Sequence, residues 1–579
     1  MPVQVSYPGV YIQEVPSQVR AITGVATSIT AFVGTATSGP VGVATLIHSQ
    51  ADYDRTFGGL AVDSPMSFAV RDFFLNGGST GVIVRLYHPD TVKTSTSAIS
   101  VIDSKHTKTL FTLVAASPGS WGVGLRVTLD NNTSADVAAM LGGGIGKADL
   151  FNLTVTNVAS GAAEMHRNIT FLDSARRIDT VLANNSQLVN WPPAVATVYV
   201  KVTAKAPSTP AFNTNIKAAF TGGTTALFDA IQWDLLNASD PAADLVGDTG
   251  KAAAPQSQLL VWNQDFFPTG KSPKDKVGVY ALEDADLFNI LVIPPYDNSV
   301  NPLYTDGDVQ PDVLMPALAY CIQRRAILLV DPPTAWQTKN DTLDPAKSST
   351  NLAGWTGSMD SDSKKSAAIF FPRLIYNNPF HSNQPEPFAP SGALAGIFAR
   401  TDTQRGVWKA PAGLDAGVGG ATALAYNLTD LENGDLNTVG LNCLRTMPAA
   451  GRVVWGSRTL QGDDRLASQW KYISVRRTAL FLEESIFRGT QWVVFEPNDE
   501  PLWAQIRLNI GAFMHQLFLQ GAFQGRTPTD AYFVKCDNET TTQNDINNGI
   551  VNLIVGFAPL KPAEFVIVSL QQMAGQVQV

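Results

Sequence analysis

Short apolar runs alternate with helix-like stretches through much of this 579-residue chain, and one long polar interval breaks the alternation. Ile29-Thr-Ala-Phe-Val-Gly34 reads as a strand ending in glycine. Ser67 to Leu75 has apolar spacing suited to a helix, stopped by Asn76-Gly77-Gly78, and Val82-Ile-Val-Arg-Leu86 resumes a strand. From about 91 to 258, Ser, Thr, Ala and Asn dominate, with short alternating runs such as Val198-Tyr-Val-Lys-Val202. This interval reads as an inserted, β-rich, outward-facing region. The rhythm then returns as a buried strand at Leu287–Pro294, a helix from Pro311 to Arg325, and strands at Ala326–Val330 and Lys365–Phe371. Strands alternating with helices predict a partly parallel sheet in an α/β domain that the insertion splits. No repeat of fixed period is present.

The last third holds the strongest helices. Leu466 to Arg488 ends at Gly489, a natural stop, and Pro501 to Phe523 follows Asn498-Asp-Glu-Pro501, which offers acidic caps and an early proline. In the second helix Leu502, Ile506, Ile510, Phe513 and Leu517 recur at spacings of three and four, widened by Trp503, Met514 and Phe518. Burying eight such side chains contributes about 12–24 kcal/mol gross. A stripe that wide fits either core packing alone or contacts on more than one side.

Both ends read as β-strands, although chain ends usually fray. Val3, Val5 and Tyr7 alternate, and the pattern resumes after Pro8-Gly9 with Val10, Tyr11 and Ile12. Glu564-Phe-Val-Ile-Val-Ser-Leu570 is a β-branched and aromatic run behind the connector Pro559-Leu-Lys-Pro562. An unpaired strand is a template for another chain. Either the two ends pair within one domain, or each is lent to a neighbouring copy.

Composition excludes several classes. A net charge of −9 with no run of Lys and Arg provides no basic face for nucleic acid. No apolar stretch of about 18 uncharged residues suggests direct membrane insertion, and no secretory leader precedes Glu14. Three cysteines far apart (Cys321, Cys443, Cys536) predict a reducing cytoplasm without a disulfide framework. Gly142-Gly-Gly-Ile-Gly-Lys147 misses the phosphate-loop pattern, with Leu141 in place of its first glycine and Ala148 in place of its hydroxyl. The six histidines form no metal-ligand spacing, and Gly119-Ser-Trp-Gly122 is no nucleophile elbow. Asp463-Asp464 and Glu483-Glu484 point apart if helical, so neither converges on one atom. The expectation is no enzyme, no cofactor and no metal.

Several linked segments resemble the contractile tail sheath proteins. They are Ser6-Tyr-Pro-Gly-Val-Tyr-Ile-Gln-Glu-Val15 with Thr30–Gly34, Pro118-Gly-Ser-Trp-Gly-Val-Gly-Leu125, and Pro390–Asp402 leading into Arg405-Gly-Val-Trp-Lys-Ala-Pro411. Trp455-Gly-Ser-Arg-Thr-Leu460, Val475-Arg-Arg477, Glu483–Ile486, Trp492–Asn498 and Lys561–Phe565 complete the set. The match covers about 1–90 and 260–575. Small departures are Ser457 for alanine, Gly413 for asparagine and Arg373 for tryptophan.

The resemblance implies a multidomain α+β and α/β chain. Its parts would be an N-terminal strand arm and linker (1–20), a split α/β middle domain (21–90 with 259–380), the outward insertion (91–258), a tube-facing C-terminal α+β domain (381–557), and a C-terminal linker and arm (558–579). It implies hexameric rings stacked around an inner tube, with baseplate and terminal cap proteins as further partners. Such a particle is made in the bacterial cytoplasm and contracts without nucleotide hydrolysis. The arms would donate strands to neighbours through Val3, Val5, Tyr7, Val10, Tyr11 and Ile12 at one end, and Phe565, Val566, Ile567, Val568 and Leu570 at the other. Ser17–Thr23 and Ala558–Pro562 would be hinges. Lys471, Arg476, Arg477 and Arg507 are candidate tube contacts, with Glu484 an alternative partner for Arg477. A different self-assembling coat protein and an α/β enzyme with a cryptic site are the other readings.

Overall fold

The computed structural model describes residues 20–88, 98–102, 109–130, 132–142, 144–158, 160–172, 174–191, 261–296, 308–347, 351–357, 359–567 and 569. The run at 198–202 and the arm residues Val3, Val5, Tyr7, Val10, Tyr11, Ile12, Val568 and Leu570 lie outside them.

An eight-stranded sheet organises the chain. Its spatial order is Gly451–Val454, Asn442–Met447, Ala367–Phe371, Ile327–Val330, Ile290–Val292, Thr30–Gly34, Gly81–Arg85 and Thr45–Ile47. The six inner strands are parallel, and the two outer ones run antiparallel. Parallel strands need cover on both faces. Successive side chains accordingly divide between two cores. Ala31, Val33, Leu291, Leu328, Ile369 and Phe371 point into one, beneath the helix Pro311–Gln323. Phe32, Ile83, Val292, Leu329 and Phe370 point into the other, beneath the helices Pro65–Leu75 and Ser391–Arg405.

The sheet continues past residue 380. Strands 442–447 and 451–454 extend it, and the 391–405 helix seals one face, so the α/β body runs well into the segment assigned to the inner domain. The cause is the open side of strand 367–371, whose buried Phe370 and Phe371 pair with Asn442 and Cys443.

The two helices on that face approach closely because Gly392 and Gly396 fall on the contact. A Cβ at Gly392 would sit 2.2 Å from the Ala69 carbonyl oxygen, and one at Gly396 would sit 2.4 Å from that of Phe73. Asp331 holds the start of the 391–405 helix, accepting from the Ser391 amide at 2.9 Å and its hydroxyl at 2.6 Å.

The described part of residues 91–258 is β-rich. It has two three-stranded sheets, 98–102 with 109–115 and 189–190, and 125–130 with 151–157 and 163–169. Its core gathers Leu113, Leu153, Val155, Phe171 and Leu182. Arg85, fully buried at the end of its strand, ties this region to the body. Its guanidinium donates to the carbonyls of Ala36 (2.8 Å), Gly39 (2.6 Å), Thr37 (3.3 Å) and Pro118 (2.7 Å). Burial lowers its pKa to about 10. The Gly142–Lys147 loop follows the helix Ala135–Leu141, the reverse of the strand–loop–helix order a phosphate loop requires, and Asp149 accepts from the Gly146 amide.

In the last third the first helix begins at Ile473 rather than Leu466, because Asp464–Leu466 is a short 3-10 turn closed by Ala467 at φ +46°. The second spans Glu500–Leu519, stopped by Gly521 at φ +77° rather than by Gly525. Leu502, Trp503, Ile506, Ile510, Phe513, Met514 and Leu517 are all buried in this chain's own core, with Phe518 partly so. The stripe is core packing. Among the described residues, no helix is long and apolar enough to cross a membrane.

Gly392→Ala and Gly396→Ala should each destabilise the fold by about 1–3 kcal/mol, measured by chemical denaturation. Burial pushes the Asp331 carboxyl up to about 6, against the Ser391 hydrogen bonds and Arg373, and Asp72 beside Arg71 is raised likewise. A carboxyl raised in the folded state stabilises fully below its unfolded value near 3.8, and that contribution disappears as pH climbs to about 6. Asp331→Asn should therefore flatten the fall in unfolding free energy between about pH 4 and pH 6 by about 1–3 kcal/mol, leaving the share due to Asp72.

Candidate functional site: an open hairpin and a terminal arm

Behind the Glu500–Leu519 helix, Tyr532–Lys535 pairs antiparallel with Ile554–Phe557, in the register Tyr532–Phe557 to Lys535–Ile554. Among the described residues, neither strand has a second neighbour in its sheet. Tyr532, Val534, Val555 and Phe557 pack on the helix core, while Phe533 and Ile554 are about half exposed. A Cβ at Gly556 would lie 2.2 Å from the Phe533 ring, so glycine lets that ring lie flat across the partner strand. An isolated two-stranded sheet is marginal in water. This one is held on one face and open along its edges.

The chain leaves the hairpin under restraint. The Ala558 amide donates to Ala531, its carbonyl accepts from Gln524, and Pro559 bridges to Phe523. Five residues later Glu564 meets Arg458, a fully buried side chain, with Nε–Oε1 at 2.8 Å and Nη2–Oε2 at 2.6 Å. Beyond it Phe565, Val566 and Ile567 are 74%, 82% and 90% exposed. Among the described residues, 564–567 carries no strand; Val568 and Leu570 lie outside them. Three consecutive large apolar side chains in water are an exposed patch that calls for a cover.

The N-terminal connection is restrained too. The Arg20 amide donates to Asn509 Oδ1 at 3.0 Å, and its guanidinium lies 4.6 Å over the Trp492 ring. Ile22 is buried between the two long helices, and Val25 donates to Ser485 Oγ. Of the expected hinges, 17–19 lie outside the described residues, Ile22 is buried on the C-terminal helices while Ala21 and Thr23 are exposed, and Ala558 is hydrogen-bonded to its surroundings.

The four candidate tube contacts have internal work. Arg477 is buried and bidentate to Asp402 at 2.8 and 2.6 Å, and also donates to the Thr27 carbonyl. Its partner is not Glu484, which takes Arg325 and Arg488 instead. Arg476 is buried against Ser366 and Glu483, and burial lowers its pKa. Those two are corrected: enclosed and paired, they offer no surface. Lys471 precedes the helix and reaches Asp464 at 2.7 Å, while Arg507 pairs with Glu500 at 2.5 Å and donates to the Cys536 carbonyl. Lys471 and Arg507 stay partly accessible.

The sequence reading missed Arg458, Asp402 and Glu564 as a set, although Arg458 and Glu564 stand inside quoted motifs. The departures have local reasons. Arg373 pairs with Asp308 at 2.6 Å, and Gly413 sits at φ +105°, where a left-handed backbone favours glycine or asparagine. Among the described residues, no group of three or more His, Cys, Asp or Glu could hold a metal ion.

Residues 467–573 match the family model of the phage tail sheath C-terminal domain. The chain is 26% identical over 181 residues to a protein described as a prophage major tail sheath protein of Pseudomonas aeruginosa, covering 30% of this chain and 44% of the relative. It is 29% identical over 142 residues to the tail sheath protein of Vibrio phage KVP40, covering 24% and 21%. These matches thus span less than half of either relative. Over 98% of this chain and 99% of the other, the fold matches the anti-feeding prophage helical sheath in its contracted state, with TM-score 0.51 and 21% identity. A sheath tail protein from Listeria innocua matches with TM-score 0.52 at 12% identity, over 93% and 96%. By these matches the chain is similar to the contractile tail sheath proteins, residues 467–573 most directly.

Removing the Asp402 carboxylate would strand the buried Arg477. Asp402→Ala should lower the unfolding free energy by about 3–5 kcal/mol, read from a denaturant titration.

Proposed function

We propose that this chain is the structural subunit of a contractile sheath, polymerising as stacked sixfold rings around an inner tube and driving that tube through a target envelope. The observation that carries the reading is the pairing of a donor with an acceptor on one subunit. Among the described residues, the exposed Phe565-Val566-Ile567 run has no cover and the 532–535/554–557 hairpin has open edges. Strand addition between copies satisfies both, because an edge presents unpaired amide and carbonyl groups in register for an incoming extended segment. The N-terminal run Val3–Val15 is the second donor.

Work in such a lattice needs no bound nucleotide. A metastable extended state, held by a kinetic barrier, releases a small free energy per subunit summed over many subunits. Arms keep neighbours linked while bodies rotate as rigid units. The inner tube protein, a baseplate and a terminal cap are the partners this role requires. Lys471 and Arg507 remain the candidates for tube contact, since exposed ion pairs of about 0.2–1 kcal/mol let a grip be released. The role involves no catalysis.

Full-length chains should form tubes by negative-stain microscopy. Chains lacking residues 1–15, or residues 565–579, should stay folded by circular dichroism yet fail to form them. Normal sheaths from both truncations would overturn the strand-exchange reading.

A further inference from the structure

Glu564 is the last residue of the C-terminal segment tied to the body before the apolar arm begins. Its carboxylate takes both a 2.8 Å and a 2.6 Å bond from Arg458, with the Tyr472 hydroxyl at 3.3 Å and Lys471 Nζ at 3.8 Å. Arg458 spends its remaining donors on the carbonyls of Asn437 and Gly462 and on Asp464. The Arg458 backbone is itself locked to the large sheet. Asn442 accepts from the Arg458 amide at 2.6 Å and donates to its carbonyl at 2.7 Å and to the Ile369 carbonyl at 3.0 Å. A continuous chain of buried polar contacts therefore runs from the arm's root to strand 367–371.

We propose that the Arg458–Glu564 pair is the anchor of the C-terminal arm: it fixes the arm's root to the α/β body, so the arm's freedom begins at Phe565. Tension applied to the arm by a neighbour then enters the eight-stranded sheet through Arg458 and Asn442 and bypasses the two-stranded hairpin. The N-terminal arm reaches the same sheet covalently, since residues 20–25, held on the long helices by Arg20, Ile22 and Val25, lead into strand 30–34. Both arms thus pull on one rigid body. A buried bidentate pair suits this role because a planar guanidinium fork fixes direction as well as distance. Glu564 and Arg458 are positioning residues, and the proposal rests on the arm serving as the link between copies.

The test is spin-label mobility in the full chain. Cys321, Cys443 and Cys536 are buried, so a cysteine introduced at the exposed Ala563 takes the label selectively. The Ala563→Cys label should be restrained in the parent and roughly tenfold faster in its rotation when Glu564→Gln is added. In dilute, unassembled chains an Ile567→Cys label should be mobile in both backgrounds. Should Glu564→Gln not fold, Glu564→Asp, which keeps the charge and withdraws it by one methylene, should show the same release. Equal mobility at 563 with and without the pair would overturn the anchor, whatever the arm does. Chains lacking 565–579 that still build normal sheaths would overturn the arm reading instead, and with it the anchor's purpose.

Discussion

A parallel sheet buried on both faces is the constraint from which the rest of this molecule follows. Apart from 442–447, its inner strands are largely apolar, so neither face can be left to water. One face is closed by the 311–323 helix, the other by the helix pair that Gly392 and Gly396 allow into backbone contact. The same demand recruits strands 442–447 and 451–454 from far along the chain. The C-terminal third is consequently no separate appendage. Its first long helix is bolted to the body by Arg477–Asp402 and by Glu484 with Arg325, and its core includes Ile22 from the chain's beginning.

Charge is used inward in this protein. Arg85, Arg458, Arg476 and Arg477 are all buried, and each is surrounded by carbonyls or matched by a carboxylate. Buried cations of this kind are costly to desolvate, and a bare arginine fork satisfied on all sides gives direction more than net stability. Just past Glu564, Phe565, Val566 and Ile567 lie outside the body's core.

The alternation of strands and helices was legible because it depends on spacing along the chain. The element edges were less so. The 473–489 helix starts late because Ala467 adopts a left-handed backbone, a choice no propensity for alanine announces. The sheet's true extent was hidden because strand 442–447 is short, polar at Asn442 and Arg445, and placed by its neighbour rather than by its own pattern.

What the amino-acid order alone determined is periodicity: where apolar faces recur, where they stop, and that the end of the chain carries a β-prone run. What only the tertiary structure decided is partnership. Arg477 meets Asp402 across 75 residues and Arg458 meets Glu564 across 106, separations at which spacing carries no signal. Whether an arginine is a surface contact or a buried clasp depends on which carboxylate the fold brings within 3 Å. That is a property of the packed chain, because ion pairing acts through space and is blind to sequence distance.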